Sequence, residues 1–168
     1  MKKIALLIEN MFDEQELIYP YHRLREDYEV VLVGSEGEKE YESKSGYKHK
    51  SDIAAEDAKA EDFDGLYIPG GFSPDYMRRN KATVEFVKAM DEKTKPIAAI
   101  CHAPWVLASA IDLEGKDITS YPSIQDDLKN AGANWLDQEV VVTDHLVTSR
   151  SPKDLPVHLK EFIRLIED

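Results

Sequence analysis

Cys101 is the only cysteine of the 168-residue chain, and it lies in Ile97-Ala98-Ala99-Ile100-Cys101-His102-Ala103-Pro104-Trp105, where an apolar run gives way to a helical stretch. A sulfur held at a sharp strand-to-helix turn can act as a nucleophile, with the next backbone N–H, here that of His102, facing a developing oxyanion. Pro104 suits a first helical turn and leaves Cys101 just ahead of the helix. Unpaired N–H groups and the helix dipole there favour a thiolate, so a lowered thiol pKa is expected. Gly70-Gly71 ends another short apolar run and offers a second oxyanion donor, because glycine permits close backbone approach. The competing reading of Cys101 is a small buried hydrophobe without chemistry.

Glu16 also has two readings. Asp13 and Glu16 have the spacing of a capping box, in which Asp13 caps a helix and Glu16 reaches back to its N–H. Alternatively Glu16 approaches the thiol from the carboxyl edge of the first strand. An ionised Glu16 would raise the thiol pKa, so it assists only when protonated and donating to sulfur. His102 adjoins the cysteine in sequence, which by itself does not place its ring on the sulfur. His22, His49, His145 and His158 read as surface residues. No Cys/His grouping has zinc-ligand spacing and no Gly-rich phosphate loop follows Ile8, so neither metal nor cofactor, flavin included, is expected.

The elements that must position these groups alternate between short apolar runs and amphipathic helices, the pattern of a parallel sheet covered by helices. Ile4 to Ile8, Tyr28 to Val33, Leu66 to Ile68 and Ile97 to Ile100 read as strands. Helices are expected from Asp13, carrying Leu17, Ile18, Tyr21 and Leu24, and over Thr83 to Lys93, burying Val84, Val87 and Met90. Trp105 to Ile111 reads as an interior helix, and Ile124 and Leu128 mark a short one ending at Gly132. Val140 to Val142 and Leu146 to Thr148 form two strands joined by a tight turn. Leu155, Leu159, Phe162, Ile163 and Ile166 make the apolar stripe of a last helix. Residues 34 to 62 are polar and broken, with an exposed hairpin around Lys44-Ser45-Gly46. One three-layer α/β/α sandwich over residues 1–168 accounts for the pattern.

Composition bounds what such a domain does. Twenty-one basic against 33 acidic residues give a net charge of -12, which repels phosphate backbones and anionic lipid, so neither nucleic acid nor membrane is expected as a partner. The hydrophobic fraction is 42% and the charged fraction 32%, as in ordinary soluble proteins. The apolar run after Lys2-Lys3 stops at Glu9, too short for a signal peptide, and a cytoplasmic location is expected.

Five ordered segments together resemble a known family: Phe12-Asp13-Glu14-Gln15-Glu16-Leu17, Ile68-Pro69-Gly70-Gly71, Ala99-Ile100-Cys101-His102-Ala103-Pro104, Thr119-Ser120-Tyr121-Pro122 and Thr148-Ser149-Arg150-Ser151-Pro152. In order and spacing they are similar to the PfpI-type branch of the DJ-1/PfpI superfamily. The resemblance implies a flavodoxin-like fold akin to the class I glutamine amidotransferase domain. It implies activity as an intracellular cysteine peptidase, a glutathione-independent glyoxalase or a protein deglycase. It assigns Cys101 as nucleophile, Glu16 as its protonated hydrogen-bond partner and His102 as general base. Gly71 and His102 supply the oxyanion N–H groups. Asp75 is the acid that orients the histidine of a neighbouring subunit, and Tyr121 is a tyrosine close to the thiol. Ala103 replaces a usual glycine and Trp105 a common glutamine, which implies a tighter, more aromatic pocket.

Two functions compete. In the first, Cys101 attacks the carbonyl of a small aldehyde or a peptide, within a homodimer or higher homo-oligomer. In the second, the same cysteine is a non-enzymatic oxidation sensor on a stress-response holdase.

Overall fold

The computed structural model describes residues 1–168 and has a seven-stranded sheet as its middle layer. In chain order the elements are β1 (Lys3–Leu7), α1 (Glu14–Leu24), β2 (Glu29–Gly34), β3 (Glu40–Glu42), β4 (Lys48–Lys50), β5 (Ile53–Ala54), β6 (Gly65–Ile68), α2 (Ser73–Met77), α3 (Lys81–Glu92), β7 (Ile97–Ile100), α4 (Pro104–Ala110), β8 (Asp117–Ile118), α5 (Gln125–Asn130), β9 (Asn134–Trp135), β10 (Val141–Thr143), β11 (Leu146–Ser149) and α6 (Leu155–Glu167). The sheet order is β10-β11-β7-β6-β1-β2-β5, and every pairing is parallel except β10 with β11.

Strand side chains alternate between the two faces, and the burial follows that period. Ala5 and Leu7 of β1, Leu66 and Ile68 of β6, and Ile97 and Ala99 of β7 join one core with Phe86, Val87 and Met90 of α3 and Val106 and Leu107 of α4. Ile4, Leu6, Tyr67, Ala98 and Ile100 join the other with Leu17 and Leu24 of α1 and Leu159, Phe162 and Ile166 of α6. Both faces of the sheet are therefore covered, which gives the three-layer α/β/α, flavodoxin-like fold expected of the sequence. No helix is long and apolar enough to cross a membrane.

Some local expectations change. The hairpin of β3 and β4 is present, but Tyr41 within it is fully buried and its Oη accepts a 2.9 Å hydrogen bond from the Glu36 N–H. Trp105 stays half-buried at the outer side of α4. His145 is half-buried and its Nε2 meets Asp91 Oδ1 at 2.7 Å. The clearest correction is His158, expected at the surface and found completely buried on the core stripe of α6. Its Nδ1 lies 2.9 Å from the Ser149 Oγ, its ring meets Tyr67 edge-on, and burial pushes its pKa down to about 3. The position falls on the same apolar stripe as Leu155 and Leu159, so helical period outweighs polarity there.

The chain passes from β1 outward through β2 to β5, then returns to the other side of β1 through β6 and β7. The switch of direction lies between β1 and β6, and in open parallel sheets ligands bind beyond the carboxyl ends of the strands at such a point.

Candidate active site

Three strand ends converge at this switch point. The loop after β1 leads into α1 and Glu16, the loop after β6 is Pro69-Gly70-Gly71, and the end of β7 delivers Cys101. Cys101 has φ 63°, a left-handed conformation that costs a cysteine of order 1–3 kcal/mol and concentrates at functional sites. Surrounding hydrogen bonds hold the turn: Cys101 N–H donates to the Ser149 carbonyl at 3.0 Å, and Tyr121 N–H donates to the Cys101 carbonyl at 2.9 Å. Ala103 caps α4 and Pro104 is its first residue, so the sulfur precedes the helix by a full tight turn.

The glycine pair is dictated by crowding. A Cβ on Gly70 would lie 2.5 Å from Glu16 Oε1 and 2.8 Å from the Cys101 Cβ. Gly71 has φ +74° and pairs with Phe12 as an antiparallel bridge, where a Cβ would meet the Asp13 N at 2.5 Å. The turn thus brings two backbone N–H groups to the chemistry: that of Gly70 donates to Glu16 Oε1 at 2.8 Å, and that of Gly71 reaches the Cys101 sulfur together with the N–H of His102.

Asp13 caps α1, its Oδ1 accepting from the N–H groups of Gln15 at 2.9 Å and Glu16 at 3.2 Å. Glu16 does not complete the capping box. Its side chain turns inward to Gly70 and into the surroundings of Cys101, is fully buried, and leaves Oε2 without a nitrogen or oxygen partner. Burial, reinforced by the Asp13 charge, pushes its pKa up to about 8, so the carboxyl is protonated at neutral pH.

The imidazole of His102 does lie on the sulfur, with Nδ1 3.2 Å from Cys101 Sγ and Nε2 3.3 Å from Ser123 Oγ. Its ring stacks on Tyr121 at 5.1 Å between centroids and meets Trp105 edge-on at 5.1 Å. Burial and the Lys44 ammonium lower its pKa, which keeps the ring neutral. The thiol departs from the sequence expectation. Burial pushes it up to about 12, with the Glu16 carboxylate adding to the rise when charged, and the N–H groups of Gly71 and His102 offset only part. Burial of the thiol outweighs the electrostatics of a nearby helix start.

Asp75 stands apart from this cluster. It lies half-buried on α2 and pairs with Arg79 of its own chain, while Ser123 occupies the outer side of His102. Sequence reasoning missed two neighbours, Ser123 and Lys44. Lys44 Nζ sits 2.7 Å from Asp13 Oδ2, because the β3–β4 hairpin docks on the loop after β1 with Met11 N–H donating to Glu42 O at 2.8 Å. The hairpin was visible in sequence; its docking is a tertiary contact with no local signal. No group of three or more His, Cys, Asp or Glu side chains comes together to hold a metal ion.

The arrangement is matched by known proteins along the whole chain. YraA of Bacillus subtilis, named as a candidate cysteine protease, is 48% identical over 167 residues, covering 99% of both chains. The deglycase PfpI of Pyrococcus furiosus is 42% identical over 165 residues, covering 98% of this chain and 99% of that one. Among solved structures, a two-domain protein of Anabaena variabilis with DJ-1/ThiJ/PfpI-like and ferritin-like domains superposes with a TM-score of 0.95 at 40% identity. That match covers 98% of this chain and 48% of the longer Anabaena chain. A family model spans residues 2–165, and with relatives of this similarity matching end to end the chain belongs to the DJ-1/PfpI family.

Proposed function

We propose that the protein is a cysteine-dependent enzyme of the PfpI type in which residues 1–168 act as one cytoplasmic catalytic unit on small carbonyl compounds or short peptides. The observation that carries this reading is the contact of Cys101 Sγ with His102 Nδ1 at 3.2 Å, at a left-handed turn where two backbone N–H groups face the sulfur.

The groups rest as a neutral thiol beside a neutral imidazole, and the proton moves only as the new bond forms. Nδ1 of His102 takes the thiol proton while sulfur adds to the carbonyl carbon, and the carbonyl π electrons pass to oxygen. The N–H groups of Gly71 and His102 stabilise that oxygen, an effect worth about 3–4 kcal/mol per donor where it has been dissected. An aldehyde gives a hemithioacetal; an amide gives an acyl-enzyme thioester once His102 returns the proton to the leaving amine, and water then hydrolyses that thioester to the acid and the free thiol. Glu16, protonated below about 8, donates a hydrogen bond to sulfur as charge develops. Tyr121 fixes the imidazole plane by stacking. A homodimer or larger ring brings Asp75 of one copy to the His102 of another. Relatives named deglycase and candidate cysteine protease support an enzyme of this kind.

Cys101→Ala is expected to reduce turnover of methylglyoxal, glycated amines and peptide amides by at least about a thousandfold in a side-by-side panel, the scale of losing a nucleophile. Unchanged rates would end this reading. Stable addition of two oxygens by peroxide in intact-mass spectra, with no turnover of any panel substrate, would replace it with oxidation sensing.

A further inference from the structure

Phe72, Trp105, His102 and Tyr121 form an unbroken run of rings that meets the Cys101 sulfur at His102. Phe72 follows Gly71, whose N–H reaches that sulfur, and its ring meets Trp105 edge-on with centroids 6.0 Å apart. Trp105 meets His102 at 5.1 Å, and His102 stacks on Tyr121 at 5.1 Å with the planes 22° apart. The run closes on the cysteine, since the Tyr121 N–H donates to the Cys101 carbonyl at 2.9 Å. Met11 adjoins this run through its backbone, its carbonyl accepting from the Phe72 N–H at 2.9 Å.

These side chains are left open where folding alone would bury them. Phe72 is 43% exposed and Tyr121 42%, so two of the few large apolar side chains open to solvent lie on one run of rings, with Met11, 38% exposed, next to Phe72 along the backbone. Scattered singly they would need no explanation; clustered at a reactive group they mark a binding surface. The central ring is also held in position. The Arg78 guanidinium covers one side of Trp105 at 5.0 Å, and the Trp105 Nε1–H donates to Asp127 at 2.8 Å. A ring fixed in this way presents its edge to a ligand with little further loss of freedom.

We propose that this aromatic collar selects the group attached to the reacting carbonyl, and that the site takes aryl carbonyl compounds ahead of short aliphatic ones. The inference rests on Cys101 as the nucleophile and adds the substrate class. A flat substituent meets ring edges and faces that a methyl group cannot use, which is worth a preference of roughly two- to tenfold.

The test reads the sulfur directly. The full-length protein is alkylated with chloroacetone and with 2-chloroacetophenone, each of which transfers its methylene carbon to the Cys101 sulfur with loss of chloride. Each rate is divided by that of glutathione, and the aryl-to-methyl ratio is compared among wild type, Trp105→Gln and Phe72→Ser, with circular dichroism to check folding. The expected ratio is about five in wild type and close to one in both variants. A wild-type ratio of one, or variants that keep the wild-type ratio, would overturn the inference. Sedimentation velocity separates the other use of such a surface: if Phe72→Ser alters the assembly while Trp105→Gln leaves the ratio unchanged, the rings belong to a subunit contact and the inference falls. Absence of turnover with an intact aryl preference would instead remove the proposed function and leave the collar standing.

Discussion

Glu16 and Cys101 illustrate how burial sets the chemistry of a residue pair. Each is pushed toward its neutral form by burial, Glu16 to about 8 and the thiol to about 12; a charged Glu16 raises the thiol further, whereas the hydrogen bond with Cys101 lowers Glu16. Below about 8 the carboxyl keeps its proton and can steady the sulfur; above it, the carboxylate repels a developing thiolate. Glu16→Gln keeps a donor and cannot ionise. The variant-to-wild-type ratio of iodoacetamide alkylation rates is therefore expected to rise as pH passes upward through about 8. A ratio that stays flat from pH 6 to 10 would show that the carboxyl does not govern the sulfur. The alternative role of Glu16 as a capping residue was equally visible in the Asp13–Glu16 spacing, and only the crowded approach of Gly70 decides between them. The raised thiol pKa had no counterpart in sequence, because desolvation depends on what α1 and the β3–β4 hairpin lay over the turn.

At the scale of elements, α6 joins packing to titration. Leu159, Phe162 and Ile166 bury an apolar stripe worth roughly 1.5–3 kcal/mol per side chain, and His158 shares that stripe as a neutral imidazole. Its folded pKa of about 3 lies below the ordinary value of 6.5, so the unfolded chain binds a proton that the folded one refuses. The contribution to stability is complete above pH 6.5 and is lost as pH falls toward 3, at up to about 1.4 kcal/mol per pH unit. Glu16 acts in the opposite sense, since its raised pKa removes stability as pH climbs from 4.5 to about 8. Urea midpoints of wild type and His158→Phe at pH 7.5 and 4.5 isolate the imidazole: wild type is expected to lose more on acidification than the variant, and equal losses would contradict its neutral burial. The strands, the cysteine turn and the apolar face of α6 were legible because period two and period 3.6 survive in the residue pattern. His158 was misjudged by its type although its spacing from Leu155 and Phe162 already placed it inside.

For the whole molecule, the acid that orients His102 comes, in the proposed function, from a second copy of the chain. Asp75 lies on α2 beside Arg79, and the outer nitrogen of His102 faces Ser123 within one chain. If a second copy supplies Asp75, specific activity should fall on dilution below the dissociation constant of the assembly. Asp75→Asn should lower kcat by about ten- to a hundredfold, less than the roughly hundred- to ten-thousandfold contribution of a general base itself, while iodoacetamide alkylation of Cys101 changes little. Activity independent of protein concentration, checked alongside analytical ultracentrifugation, would assign Asp75 a local role in its pair with Arg79. Only the family resemblance points to Asp75 in the sequence, because a contact between copies leaves no spacing signal within one chain.

Ser149 hydrogen-bonds to both the cysteine turn and the last helix. Its carbonyl receives the Cys101 N–H at 3.0 Å, and its hydroxyl lies 2.9 Å from the imidazole of the fully buried His158. That imidazole is shielded from solvent and holds one protonation state through the neutral range, so nitrogen-15 labelling turns it into a resident spectroscopic gauge. Its resonance would register a covalent event at the sulfur through one shared serine, with no dye, tag or substituted side chain near the reacting atoms.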